Sequence, residues 1–346
     1  MSTRAPQITM NDVARHAGVS KASVSRALNG VPGAVGAGTA RRILDAVDEL
    51  GYVRDRAAAS LKVRRTQTVG LLVPDIGNPF FATVAAGIES VFQDAGYGLI
   101  LASSGSRRER EVALTRVVLE RRLDALIVAT ASSSDEHLRE VRRRGVEIVL
   151  IDAYPTDWRE DFDCVTVDNK AGGAAAAKHL LELGHQDVAV IAGPSNDSAG
   201  LQRVAGVEQT LLEVGLALRR DRRMQGDFSV DGGRRAALDL LCRTPRPTAI
   251  FSANNLMTVG VLRALAELGL RAPADVSLVG FDDMDWYPLA APPITAVAQP
   301  AQAIGARAAK RLLERLRSSR RRRARIELLP TELRIRASTA TAGACR

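Results

Sequence analysis

Residues 8–30 read ITMNDVARHAGVSKASVSRALNG, and their pattern decides the fold of the first fifty residues. Thr9 followed three positions later by Asp12 is a capping box ahead of an amphipathic run. Val13, Ala14 and Ala17 form its apolar stripe, Gly18 ends it, and Val19 plugs the turn. Ser20 caps a second helix, 21–28, whose Val24, Ala27 and Leu28 face inward. A third helical pattern spans about 39–50, with Ile43, Val47 and Leu50 inward and Gly51 as its stop.

Two short helices joined by a glycine turn form a helix-turn-helix, whose second helix enters the major groove of DNA. The outer face of that helix offers Lys21, Ala22, Ser23, Ser25 and Arg26. Arg26 and Lys21 donate to guanine O6 and N7, and Ala22 touches a thymine methyl. Ser23 and Ser25 suit phosphates. The alternative is a small structural bundle with a solvated basic face.

Charge supports the DNA reading locally. The 346 residues carry a net +9. Residues 1–66 hold eleven Lys/Arg against five acids, and 307–325 hold ten against one, so the rest of the chain is acidic at −6. A uniform arginine bias does not leave an acidic middle. The run Arg320–Arg323 reads as a solvated loop rather than a second contact with DNA or an acidic partner. Cys164, Cys242 and Cys345 are far apart and form no disulfide framework; the first two are expected to be buried. The four histidines lack metal-ligand spacing, and neither a bilayer-spanning apolar run nor a secretory signal is evident. A cytoplasmic, nucleoid-associated protein without metal or cofactor is expected.

Residues 54–66 are basic and alanine-rich, too short for a stable isolated helix. From residue 68 strand runs alternate with helical patterns. Strands are expected at 69–73, 98–103, 125–130, 147–152, 188–192, 223–226, 249–253 and 276–280. Helices are expected near 81–95, 107–121, 135–144, 170–183, 200–215, 230–242, 256–268 and 301–317. This alternation implies two open parallel sheets covered by helices. Ligands of such folds sit beyond the carboxyl ends of the strands. Asn78, Phe80, Phe81, Asp152, Arg203, Phe228, Asn254 and Asp282 lie at or after such ends, and Gln299 follows them in the chain. Their polar groups suit sugar hydroxyls and their rings suit apolar sugar faces. Phe81 reads equally as core and as ligand face, and Trp286 and Tyr287 read as packing.

The stretch 8–30, then ELGYVRDRAAASLKVRRTQTVGLLVPDIGNPFF, closely resembles the lactose/galactose-repressor (LacI/GalR) family of bacterial transcription factors. GHQDVAVIAGP, RVAG, PTAIFSANN, VSLVGFDD and LLPTELRIRAST follow in the family's order, so the resemblance covers about 8–338. It implies an all-α headpiece at 1–53, a hinge helix at 54–66, and a two-lobed periplasmic-binding-protein-like core at 67–338. The lobes are expected at 67–165 with 296–324, and at 166–295 with 325–338, with crossings near 164–167, 293–297 and 323–326. Residues 339–346 are expected to be a flexible tail.

The resemblance implies DNA contacts from Thr9, Ser20, Lys21, Ala22, Ser23, Ser25, Arg26, Asn29, Thr39, Arg56, Ala58 and Leu61. Leu61 matches a leucine that wedges into the centre of a palindromic operator, which kinks DNA. The nine residues from Asn78 to Gln299 named above match effector-contacting positions. Three departures stand out: Gly36 replaces a capping serine, Asn255 a common Asp, and Ala153 a common Arg. The tail lacks leucine heptads, so a homodimer is expected. The function implied is a repressor whose operator affinity is set by a small ligand, of either sign, from the sugar class. A cytoplasmic sugar-binding protein, or a sugar-acting enzyme fused to a DNA-binding domain, is the alternative. Against an enzyme, the sequence shows no dinucleotide fingerprint, P-loop or nucleophilic triad.

Overall fold

A computed structural model describes residues 8–28, 34–52, 66–130, 134–154, 161–318 and 323–344. The chain forms two compact units, 1–66 and 67–346.

In the first unit α1 (Met10–His16), α2 (Lys21–Leu28) and α3 (Ala37–Glu49) enclose a small core. Val13, Val24 and Ile43 are fully buried at its centre, with Ala14, Ala17 and Ala46 beside them. The Asp12 carboxylate accepts from the Thr9 amide at 2.9 Å and hydroxyl at 2.6 Å, which closes the start of α1. Gly18 takes φ +63°, a turn conformation costly for other residues. The third helix begins two residues earlier than expected, with Gly36 at its N-cap. Gly36 offers no side-chain oxygen, so this end lacks the usual cap hydrogen bond.

The second unit holds two six-stranded sheets. The first contains β1 (Thr68–Val73), β2 (Gly98–Ser103), β3 (Ala125–Val128), β4 (Glu147–Ile151) and β5 (Asp163–Val167). Its helices are α4 (Pro79–Ala95), α5 (Arg108–Glu120) and α6 (Glu136–Arg143). The second contains β6 (Val188–Ala192), β7 (Arg223–Gln225), β8 (Ala249–Ser252), β9 (Ser277–Phe281) and β10 (Thr295–Ala298). Its helices are α7 (Asn169–Glu182), α8 (Ser198–Glu213), α9 (Val230–Leu241) and α10 (Asn255–Glu267). The chain then returns through α11 (Ala301–Arg317) to β11 (Ile326–Leu329) and ends in β12 (Glu332–Arg334).

The sheet orders are β11-β5-β4-β3-β1-β2 and β12-β10-β9-β8-β6-β7. Every pairing is parallel except β10 with β12. Each sheet reverses its strand order once, at β1/β3 and at β6/β8, and such switch points place ligands in α/β folds. The expected crossings were placed too early. Residues 163–167 and 295–298 are buried strands of the first and second sheet, and 326–329 return to the first sheet beside β5. The chain crosses after each of these strands, so 326–329 belong to the first lobe and 296–298 to the second. These short apolar runs stand outside the simple strand–helix alternation, which is why they resembled connectors.

Two further expectations fail. Residues 339–342 are docked rather than loose: the Thr339 hydroxyl lies 2.9 Å from His179 Nε2, His185 Nε2 donates to the Ala340 carbonyl at 2.9 Å, and the Ala342 amide donates to Leu183. Small polar residues pair here through backbone groups, which composition does not reveal. Cys242 is exposed at the end of α9, whereas Cys164 is buried in β5.

Three helix pairs, α4–α11, α7–α8 and α9–α10, meet through glycines: Gly87 with Gly305, Gly173 with Gly206, and Gly233 with Gly260. A Cβ at Gly206 would collide with the Lys170 carbonyl of α7. Gly206→Ala is therefore expected to lower stability by about 1–3 kcal/mol, the usual range for overpacking. Gly38→Ala, at an open position in α3, should be neutral or slightly stabilising. Urea denaturation of both variants checks this, and equal midpoints would show that the α7–α8 contact is not tight.

Candidate functional site

A cavity of about 410 Å³ opens between the carboxyl ends of the two sheets. Its lining draws on the segments after β1–β4 and after β6–β10. All nine residues expected from the sequence meet there: Asn78, Phe80, Phe81, Asp152, Arg203, Phe228, Asn254, Asp282 and Gln299.

The local sequence explains their placement. Asn78 caps α4 by accepting from the Phe80 amide at 3.0 Å, with Pro79 at the first helical position. Asn254 likewise caps α10 through the Met257 amide at 2.8 Å, while its Nδ2 donates to the Phe228 carbonyl at 3.2 Å. Phe80 and Phe81 are both buried and stand edge to face at 5.1 Å. Phe81 thus serves the core and the cavity wall together. Trp286 and Tyr287 stack edge to face at 4.6 Å, and Tyr287 is buried against Ile294 and Ala296; neither lines the cavity.

Asp152, Phe228 and Asp282 adopt φ of +64°, +62° and +70°, and Ser106, also on the wall, +56°. Non-glycine residues in this region are strained and cluster at functional sites. Asp282 does not cap a helix that follows it in the chain. It accepts from Gln299 Nε2 at 2.5 Å and from the Asn255 amide at 3.3 Å.

Arg203 is buried on α8. Its Nε donates to Asn169 Oδ1 at 2.8 Å and its Nη1 to the Ala253 carbonyl at 2.7 Å. The guanidinium lies 3.8 Å from the centre of the Phe281 ring, and Nη2 stands 3.6 Å from Asp152 Oδ1. Burial pushes the Asp152 carboxyl up to about 7, against the pull of Arg203 and with Asp197 and Asp282 adding to the rise. Burial also raises Asp197.

Sequence reading missed Asp75, Ser106, Thr130, Asp197, Asp227, Ser229 and Leu256 on the wall. The signal was present: each follows a strand, as Asp197 follows β6 and Asp227 follows β7. Among the described residues no cluster has the composition of a metal site.

On the first unit, Lys21, Ala22 and Arg26 are exposed on α2, while Ser23 and Ser25 are half-buried. Ser20 Oγ accepts from the Ser23 amide at 3.1 Å, and the two hydroxyls are 2.9 Å apart. Thr9 is exposed just before α1, and Thr39 is half-buried in the first turn of α3. Asn29, Arg56, Ala58, Leu61 and 320–322 of the arginine run lie outside the described residues.

The Asp152 shift has a stability consequence. Its ordinary carboxyl value is 3.8, so the folded chain holds the proton more tightly than the unfolded one. Stability therefore falls as pH rises from about 3.8 to about 7 and levels off above. Asp152→Asn carries no charge, and Asn tolerates positive φ. Its advantage over the wild type should widen across that window and then stay constant. At about 1.4 kcal/mol per pKa unit, the plateau is on the order of a few kcal/mol. Denaturation midpoints measured across pH check this, and a pH-independent gap would contradict it.

Residues 9–55 match the family described as bacterial regulatory proteins, lacI family, and residues 177–339 match a periplasmic binding protein-like domain. The chain is 33% identical over 333 residues to catabolite control protein A of Priestia megaterium, covering 96% of this chain and 99% of that one. A transcriptional regulator CelR–cellobiose complex is 32% identical with a TM-score of 0.73, covering 96% of this chain and all of the other. The lac repressor dimer bound to operator and the anti-inducer ONPF is 26% identical with a TM-score of 0.82, covering 96% and 99%. With helix-turn-helix and two-sheet core both accounted for, the chain belongs to the lacI family of bacterial regulatory proteins, as a DNA-binding transcriptional repressor with a ligand-binding domain.

Proposed function

We propose that two copies of the chain bind a palindromic operator in the bacterial nucleoid, and that a sugar-class ligand in the 410 Å³ cavity sets operator affinity. The observation that carries this reading is the cavity itself. Nine strand ends supply its wall, so a bound ligand touches both sheets at once. A ligand that prefers one arrangement of the lobes shifts the population toward it. That shift changes the spacing of the two hinges of a dimer and hence the fit to DNA. Polar Asn, Asp, Arg and Gln groups beside Phe80, Phe81 and Phe228 suit a polyhydroxylated ring. The CelR complex with cellobiose and the operator-bound lac repressor dimer support the ligand class and the assembly. The edge strand β2 leaves Ile100 and Leu101 exposed, as a dimer surface requires.

Each subunit places the exposed face of α2, Lys21 to Arg26, in the major groove of one half-site, supported by Thr9, Asn29 and Thr39 near the backbone. The hinge residues Arg56, Ala58 and Leu61 enter the minor groove, with Leu61 wedged at the centre of the palindrome. Residues 1–53 act as the headpiece, 54–66 as the hinge and 67–338 as the effector core, the docked 339–342 closing the second lobe.

Selection of the operator from random DNA, followed by binding at fixed salt, tests the first half. Arg26→Ala is expected to lose about 1–3 kcal/mol and to relax base preference at one position. Unchanged affinity would remove α2 from the groove. A thermal-shift screen of sugars tests the second half, because a cavity ligand stabilises the fold by mass action. A hit should alter operator affinity, and Arg203→Ala should abolish both effects. If no sugar that raises the melting temperature changes operator binding, the cavity is not the control site.

A further inference from the structure

The cavity wall is unbalanced in charge. Five carboxylates line it, from Asp75, Asp152, Asp197, Asp227 and Asp282, and Arg203 is the one basic side chain among the described lining residues. Arg203 attracts Asp152 and Asp197, and Arg235 pairs with Asp227 at 3.5 Å, but the donors of Arg203 are committed to the protein. Two of its nitrogens are spent on Asn169 and the Ala253 carbonyl, and its face lies on Phe281. Only Nη2 turns toward a wall carboxylate, at 3.6 Å from Asp152, beyond hydrogen-bond distance. Ala153, next to Asp152, adds no charge.

The wall also keeps buried oxygen atoms without a hydrogen-bond partner, Asp152 Oδ1 and Gln299 Oε1. Gln299 Oε1 accepts, and so does Asp152 Oδ1 in the ionised carboxylate, so the complement of the ionised wall is a donor. An entering phosphate or carboxylate meets repulsion that the low dielectric of an enclosed site strengthens. A protonated amine meets attraction from Asp152, Asp197 and Asp282, and aromatic rings at Phe80, Phe81 and Phe228 also attract a cation.

We propose that the effector is a polyhydroxylated molecule bearing a protonated amine, an amino sugar in its simplest form, rather than a neutral sugar or a sugar phosphate. This rests on the cavity being the effector site. The amine sits on the Asp152 side, where it supplies the positive charge that Arg203 does not bring forward. The hydroxyls then meet Asn254, Asp282 and Gln299, and the ring lies against the phenylalanines.

The test uses the full chain and matched trios of neutral hexose, 2-amino hexose and hexose 6-phosphate in the gluco, galacto and manno series. Affinity is measured by calorimetry, and operator binding is followed in parallel. In at least one series the amine is expected to bind ten-fold or more tightly than its neutral parent, with no binding of the phosphate. Asp152→Asn, which keeps the side-chain shape and tolerates the backbone, should reduce the amine's advantage to threefold or less. A neutral or phosphorylated sugar that binds as tightly as its amine counterpart overturns the proposal, as does the failure of every amine to bind. The two readings separate cleanly. Operator control by a neutral sugar sinks the amine and leaves the cavity as effector site; amine binding without any change in operator affinity sinks the cavity as effector site and the proposal with it.

Discussion

The guanidinium of Arg203 joins five parts of the second unit at one point. It sits on α8, bonds Asn169 at the start of α7 and the carbonyl after β8, covers Phe281 at the end of β9, and faces Asp152 after β4. A buried arginine is costly unless its donors are satisfied. Here the bonds that satisfy it fix the floor of the cavity. Asn169 is held in turn through its Nδ2 near Thr166 Oγ1 and the Val167 carbonyl at the end of β5. The floor is therefore set by strand ends of both sheets, and the cavity is an outcome of packing rather than a gap left by it.

The second constraint links elements of the two sheets directly. Asn255 on α10 donates to Asn78 Oδ1 at 2.8 Å, joining the starts of two helices from different sheets. Tyr154, after β4, likewise donates its amide to Ser198 Oγ on α8 at 3.0 Å and receives Gln202 Nε2 on its hydroxyl at 2.6 Å. Asparagine at 255 suits this place. A carboxylate there would face Asn78 Oδ1, an acceptor, and stand beside Asp282, adding repulsion inside a buried contact. The strained backbones of Asp152, Phe228 and Asp282 belong to the same design. Each costs on the order of 1–3 kcal/mol and persists because its surroundings determine it.

Much of this was legible in the sequence. Helix limits in the first unit followed from signals such as Thr9, Ser20 and Gly18, and the cavity residues followed from one rule, that ligands collect beyond strand ends. The rule was applied too sparingly: Asp197 and Asp227 also follow strands, and Asp197 in addition caps α8. One side chain filled both roles, which a single sequence cannot display. The crossings were misplaced because 163–167 and 295–298 are strands without following helices of their own sheet. Long-range pairing, such as β11 beside β5 across some 160 residues, leaves no local signature. The docking of 339–342 is hidden for the same reason, being made of backbone groups and two histidines.

Net charge alone would have misdescribed the molecule. The basic excess sits in 1–66 and 307–325, while the remainder is acidic. Part of the second basic stretch is already spoken for: Arg307 and Arg311 bind Glu327, and Arg315 binds Asp163 at 2.6 Å. Those pairs anchor α11 to β5 and β11, so they hold the first sheet together after the chain returns to it. Charge in the core thus does structural work at one edge of the sheet and lines the cavity at the strand ends. In the first unit the cations Lys21 and Arg26 stand exposed on α2. The same residue type carries three roles, and burial with partner geometry, not composition, separates them.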